Sequence, residues 1–401
     1  MKVTAIDTLR FKDFAENQVW VEIYTDEGIV GLGETFYNPA TVCTYIHEVV
    51  APYLLGKDPC QIDRHGRYLN GYLGFSTTSA EMRGNSAIDI ALWDILGQTA
   101  GLPIWQLLGG LSREKIRIYN TCAGYSYGSK RMTHFAGADP RRMQPGAYED
   151  LEAFMHRADE LAHDLLEQGI SAMKIWPFDP YLTGNLTMHI SPRDLDKGLE
   201  PFRKIRNAVG DKMEVMLEFN NAFDATTAKR IAKAAEQYNP YWYEDPIRAD
   251  DLGALAVFVA DTRVPLASSE TLSTRWSFRD LLERRIAGVV IMDLSWCGGI
   301  SEAKKIASMA EAYQLPVAPH DCTGPVVLAA SVHISLNAAN ALLQETVRAF
   351  YTGWYLEIVT ELPRIDKGYV FPSTAPGLGL KLQPDLKRRP GAIIQRSPVH
   401  S

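Results

Sequence analysis

The chain has 401 residues, 46% of them hydrophobic and 22% charged, enough for one barrel-sized core and a smaller companion. Its 41 basic residues against 48 acidic ones leave a net charge of −7 with no basic cluster, so nucleic acid is excluded as an expected partner. The longest apolar run, 286–292, is far too short to span a bilayer, and five scattered cysteines without a CxxC pair fit reduced thiols in a cytoplasm.

The opening stretch, MKVTAIDTLRF, alternates as a strand does and lacks the apolar core and cleavage site of a signal peptide. QVWVEIYTDEG and VGLGETF follow as further antiparallel strands, and 78–99 predicts a long helix, giving an α+β domain over 1–114. From 115 onward, short apolar runs alternate with helical patterns. The runs are 115–122, 171–176, 214–220, 241–245, 265–270, 288–293, 316–320 and 342–346. Each reads as a parallel strand buried on both faces. Between them, 149–167 carries one apolar stripe (Leu151, Phe154, Met155, Ala158, Ala162, Leu165), and 300–314 another. Eight strands alternating with helices over 115–352 predict a closed α/β barrel of the (β/α)8 type; an open doubly wound sheet is disfavoured because no glycine-rich dinucleotide turn follows a strand. After 350 the helical pattern stops. Strand-like YLEIVTEL, YVFP and GLGLKL predict that the segment 353–401 returns to the first domain.

The polar residues at the strand ends carry the chemistry. Glu218, Glu244 and Glu270 end the third, fourth and fifth runs, 26 residues apart each time. One βα unit per step sets three carboxylates side by side at the same barrel rim. Like charges so placed repel and raise one another's pKa, and a hard divalent cation such as Mg²⁺, which takes oxygen ligands, resolves the conflict. Asp293, His320 and Glu345 end the next three runs. An Asp–His pair fixes the imidazole tautomer and raises its basicity, which suits His320 to act as a general base. Lys174, on the second run, brings positive charge toward an anionic substrate or serves as acid or base.

Lys174, Glu218-x-Asn220, Glu244-Asp245-Pro246, Glu270, Asp293, His320 and Glu345, together with ALWDILGQTAGLPIWQLLGG at 91–110, resemble the enolase superfamily in its mandelate-racemase-like branch. The resemblance covers nearly the whole chain. It implies a (β/α)7β TIM-like barrel with an α+β capping domain formed by the N-terminal region and the C-terminal tail. It implies one Mg²⁺ held by Glu218, Glu244 and Glu270, a small-molecule sugar acid as partner, and a homo-oligomer. The metal would hold the substrate carboxylate while a base removes the α-proton to give a stabilised enediolate. Glu345, if protonated, would donate a hydrogen bond to that carboxylate. Asn220, two residues past a metal ligand and so on the same side of the strand, would contact substrate or metal-bound water.

One departure is informative. Mandelate racemase has a Lys-x-Lys pair on its second barrel strand, whereas Lys174-Ile175-Trp176 stands here, and tryptophan cannot abstract a proton. Muconate-cycloisomerase and dipeptide-epimerase relatives carry a lysine where this chain has Asp293. One base without an opposing partner favours a hydro-lyase that removes the C2 proton and C3 hydroxyl of an aldonate or aldarate, giving a 2-keto-3-deoxy acid. His320 takes the proton, and His320 itself or another acid protonates the leaving hydroxyl. A racemase with Lys174 as second base and a non-catalytic binder are the alternatives; an amidohydrolase is disfavoured because the first run has no His-x-His. Trp176 either plugs the barrel mouth or stacks on substrate. The long connections 123–148 and 177–192 are expected to shape the pocket; in them Tyr125, Tyr127, His134 and His189 are candidate substrate contacts, read first as surface residues.

Overall fold

The structure, a computed structural model, describes residues 1–71, 79–125, 127, 148–183 and 186–399. His134 and most of the 123–148 connection lie outside the described residues. Strands β1 (Val3–Phe11), β2 (Gln18–Thr25) and β3 (Val30–Phe36) form the expected antiparallel sheet. The long helix Ala80–Ala100 packs across it, its N-terminus capped by Ser79, which accepts from the Met82 N–H. Glycines in β3 permit this close approach: a Cβ on Gly33 would sit 1.9 Å from the Ala87 carbonyl oxygen, and one on Gly31 2.2 Å from that of Ala91.

The barrel strands are β4 (Ile116–Thr121), β5 (Ala172–Ile175), β6 (Glu214–Glu218), β7 (Tyr243–Glu244), β8 (Leu266–Ser268), β9 (Val289–Val290) and β10 (Gln344–Thr346). They pair in parallel and in chain order from β4 to β9. The run 316–320 makes only single bridges, Val290 to Val317, Asp293 to His320 and Val317 to Ala341. β10 pairs with β4 and closes the ring.

Tyr119, Ala172, Met216, Trp242, Ala267, Ile291, Ala318 and Leu343 meet on the barrel axis as one apolar cluster. Because side chains alternate along a strand, the residue two positions on also points inward. Those residues are Thr121, Lys174, Glu218, Glu244, Asp293, His320 and Glu345, which places the polar layer directly above the packed one. Only the fifth strand departs: Glu270 lies three residues beyond Ala267.

Three expectations about elements need correcting. The stripe over 149–167 is two helices, Asp150–His156 and Ala158–Glu167, broken where Arg157 leaves helical geometry (φ −136°). YLEIVTEL is not a strand: Tyr355–Ile358 is a short helix, and GLGLKL makes only isolated bridges, Pro103 to Gly377 and Val359 to Leu382. The tail divides its pairing. The hairpin β11 (Ile365–Asp366) and β12 (Tyr369–Val370) adds to β4 of the barrel, while β13 (Ala392–Pro398) returns to β1 of the first sheet.

Candidate active site

Glu218, Glu244 and Glu270 each bring a carboxylate oxygen within 4.8 Å of the other two. Glu218 and Glu244 are buried, and Glu270 opens toward the rim. The Lys174 ammonium lies among the carboxylates, 2.5 Å from Glu244 Oε1, 3.0 Å from Glu345 Oε1 and 3.4 Å from Glu218 Oε2. From below, the Trp242 indole N–H donates to Glu244 Oε2 at 2.9 Å. Burial and then the neighbouring Glu244 push the Glu218 carboxyl well above its usual range, against the pull of Lys174. Glu270 goes the other way: burial raises it, but His320 beside it brings it below its usual value. The donor set fits a hard divalent cation. It consists of oxygens alone, and ligands adjacent on Mg²⁺ stand about 3 Å apart, within reach of small side-chain rotations.

His320 sits as the spacing predicts. Its Nδ1 is 2.7 Å from Asp293 Oδ2 and its Nε2 is 3.0 Å from Glu270 Oε2. Asp293 is held in turn, because the Ser295 backbone N–H and hydroxyl donate to Oδ1 at 2.7 and 2.6 Å. Burial alone would lower the imidazole pKa, but Glu270, Glu345 and Asp293 raise it well above the ordinary value. Trp296 stacks on the imidazole at 5.4 Å between ring centroids.

Two expectations fail on geometry. Glu345 is an acceptor rather than a protonated donor. Thr121 and Lys174 bond its Oε1, and the Asp321 N–H donates to Oε2 at 2.9 Å. Burial would raise its pKa, yet Lys174 and His320 hold it down at about 2. Asn220 does not continue the strand beyond Glu218. β6 ends there, Asn220 takes a left-handed φ of 54°, and its side-chain amide donates to both oxygens of Asp179. Alternation therefore says nothing about where Asn220 points.

Trp176 is buried between Tyr127 and Phe154, each at 5.3 Å between ring centroids. Tyr125 is tied to its own loop through the Tyr148 N–H, and His189 is exposed.

The first domain also supplies parts that strand-end reasoning missed. Tyr37, just past β3 and left-handed (φ 76°), faces Trp296 at 5.9 Å, and the Arg83 guanidinium lies over both rings. The Thr35 hydroxyl donates to the Ser295 carbonyl at 2.9 Å, behind the Asp293–His320 pair. Glu34 is fully buried and accepts from Trp20 Nε1 and the Val326 and Val327 N–H groups, joining β3 to the barrel helix Pro325–Asn337. The stretch GETFYNP at 33–39 carries these residues, but no local period in it shows the face that Tyr37 presents.

Fold and site together define a capped-barrel enzyme with a three-carboxylate centre and an Asp–His pair at its C-terminal rim. Comparison with known families agrees: "Mandelate racemase / muconate lactonizing enzyme, N-terminal domain" matches residues 4–109, and "Enolase C-terminal domain-like" matches residues 157–386. The chain belongs to the mandelate-racemase-like branch of the enolase superfamily. It is similar to the D-galactonate dehydratase of Ralstonia nicotianae, at 32% identity over 100% of this chain and 97% of that one. Among solved structures, an enolase of the mandelate racemase subgroup from Agrobacterium tumefaciens is 50% identical, with a TM-score of 0.87 over 100% of this chain and 99% of that one. An enolase protein from Sargasso Sea environmental sequencing is 38% identical, with a TM-score of 0.88 over 100% of each chain.

Proposed function

We propose that this protein is a Mg²⁺-dependent acid-sugar dehydratase that converts an aldonate or aldarate into a 2-keto-3-deoxy acid and water. The observation that carries this reading is that, among the described residues, one imidazole stands beside the carboxylate trio. This is His320, backed by Asp293 at 2.7 Å, while the second barrel strand ends at Ile175 with Trp176 just past it. Elimination needs one base and one proton donor. Racemisation needs bases on both faces of the carbon. Two D-galactonate dehydratases at 32% identity and near-complete coverage support the same chemistry and make D-galactonate the first acid to try.

Glu218, Glu244 and Glu270 would hold the cation, which when bound anchors the substrate carboxylate and takes up charge developing as the α-proton leaves. The remaining work falls to side chains of the chain itself. His320 Nε2 faces the site and receives the C2 proton, while Asp293 on Nδ1 keeps the ring oriented and favours its protonated form. Lys174, committed to carboxylates on three sides, supplies positive charge near the substrate carboxylate. Tyr37 and Trp296 close the site over His320 and exclude water from it.

The test is a panel of mono- and diacid sugars incubated with the enzyme and Mg²⁺ in D₂O. Formation of a 2-keto acid, abolished by chelation, is the expected result. Inversion at C2 without loss of water would establish the racemase instead, and binding without turnover the non-catalytic reading.

A further inference from the structure

The single-base reading leaves open which group protonates the departing hydroxyl. After β5 the chain turns through Trp176, Pro177 and Phe178 into the single turn Asp179–Tyr181. This carries Asp179 to the rim beside β6. Both Asp179 oxygens accept from Asn220 Nδ2, at 3.2 and 3.1 Å. Asn220 donates its backbone N–H to Glu218 Oε1 at 2.7 Å, so the pair is tied directly to the trio. Asn220 and Asn221 both adopt left-handed φ, of 54° and 56°. Such conformations cost free energy for residues with a Cβ, and here the turn aims an amide at a carboxyl. Among the described residues no cation pairs with Asp179.

The alternatives are less suited. Lys174 is engaged by three carboxylates. Tyr37 and Cys322 lie on the His320 side; burial pushes the phenol up to about 12 and raises the thiol strongly. Burial brings the Asp179 carboxyl to about 7, against the bonds from Asn220, so it keeps a proton it can give up near neutral pH. In the ring, β5 is separated from the His320 run by β4 and β10 on one side and by β6, β7, β8 and β9 on the other. The strand that leads to Asp179 and the run that ends in His320 therefore stand on opposite sides of the ring.

We propose that Asp179 is the general acid of the reaction, protonating the C3 hydroxyl as it leaves, with Asn220 as the positioning residue that orients it. This rests on the dehydratase reading above. In the step, the C2–H bond breaks and its proton passes to His320. Its electron pair forms the C2–C3 double bond, the C3–O bond breaks, and the Asp179 proton joins the departing oxygen to give water. The enol then tautomerises by exchanging its hydroxyl proton for one at C3. The proton on His320 returns to Asp179 through solvent, so the net change is loss of one water.

Asp179→Asn keeps the shape and the bond to Asn220 but has no proton to deliver. Using whichever aldonate the parent dehydrates, starting from D-galactonate, we expect water loss to fall about 10²- to 10⁴-fold. Exchange of the C2 proton in D₂O should persist. The C3-fluoro analogue of the same acid, whose fluoride leaves without protonation, should be processed at close to the parent rate. Asn220→Ala should show the same split between the two leaving groups, to a smaller degree. Water loss at the parent rate in Asp179→Asn, or equal losses on the hydroxyl and fluoro substrates, would overturn the assignment. A parent enzyme that neither exchanges nor dehydrates any acid of the panel would sink the dehydratase reading itself, and the assignment with it.

Discussion

Arg348 is almost wholly buried just past β10, where the barrel closes. Its Nε and Nη2 donate to the two oxygens of Asp150 at 2.7 Å each, and its Nη1 to Asp164 at 2.5 Å. Asn120 on β4 joins both halves, donating to Asp150 at 2.9 Å and accepting from the Arg348 N–H at 2.9 Å. Arg348→Met removes the cation and strands Asp150, whose side chain is 2% exposed. Breaking a buried pair from one side costs about 3–5 kcal/mol, because the remaining charge loses its counterion without gaining water; the neutral Asn120 amide is the donor left to Asp150. Asp164 adds little to the total, since its side chain is 47% exposed and regains solvent. Most of the loss is therefore the uncompensated carboxylate, and Asp150→Asn in the Arg348→Met background should recover a large part of it. Thermal unfolding of the parent, both single variants and the double variant at one pH measures this directly. The double variant should melt above Arg348→Met. If it melts at or below that temperature, the cost lies in lost packing, including the stacking of Arg348 over Tyr148, and not in stranded charge.

Other outcomes follow from the same geometry. His320→Asn should abolish C2 proton exchange while leaving Mg²⁺ affinity nearly unchanged, checked by NMR in D₂O and by calorimetry; exchange at the parent rate would remove His320 as the base. Glu244→Gln should weaken Mg²⁺ binding strongly, since it replaces one of three anionic oxygens, and unchanged affinity would exclude it from the centre. Burial pushes the Glu34 carboxyl from 4.5 up to about 8, against the Val327, Val326 and Trp20 donors. A folded-state pKa above the unfolded one means that the folded protein holds a proton the unfolded chain has lost. Its contribution is full below about pH 4.5 and disappears as pH rises through 8. Glu34→Gln should therefore gain stability relative to the parent between pH 5 and pH 9 in paired thermal melts. A variant that falls behind as pH rises would show that the three donors hold Glu34 as an anion.

Much of the site was legible before any coordinates. Inward-pointing positions recur every two residues along a strand, and strands recur about every 25 residues along the chain, so Lys174, Glu218, Glu244, Asp293, His320 and Glu345 had to share one rim once the runs closed into a barrel. The alternation in 1–36 and the long apolar helix were equally plain, because local periodicity suffices to identify them. Where meaning depended on a partner distant in sequence, the reading failed. Glu345 was expected to be a donor, and it is an acceptor because Thr121, Lys174 and the Asp321 N–H converge on it from three other segments. Asn220 was placed by alternation, but the strand stops at Glu218 and a left-handed turn redirects it to Asp179.

By itself, then, the sequence determined the order of elements and which residue types end each strand, since both are written in periods of two, 3.6 and about 25 residues. Tertiary structure alone decided the protonation of those residues, the facing of Tyr37 and Arg83 onto the base, and the joining of the tail to both the barrel and the first sheet. The physical reason is that burial and the charge of a neighbour set a pKa or an orientation, and neither is a local property of the chain.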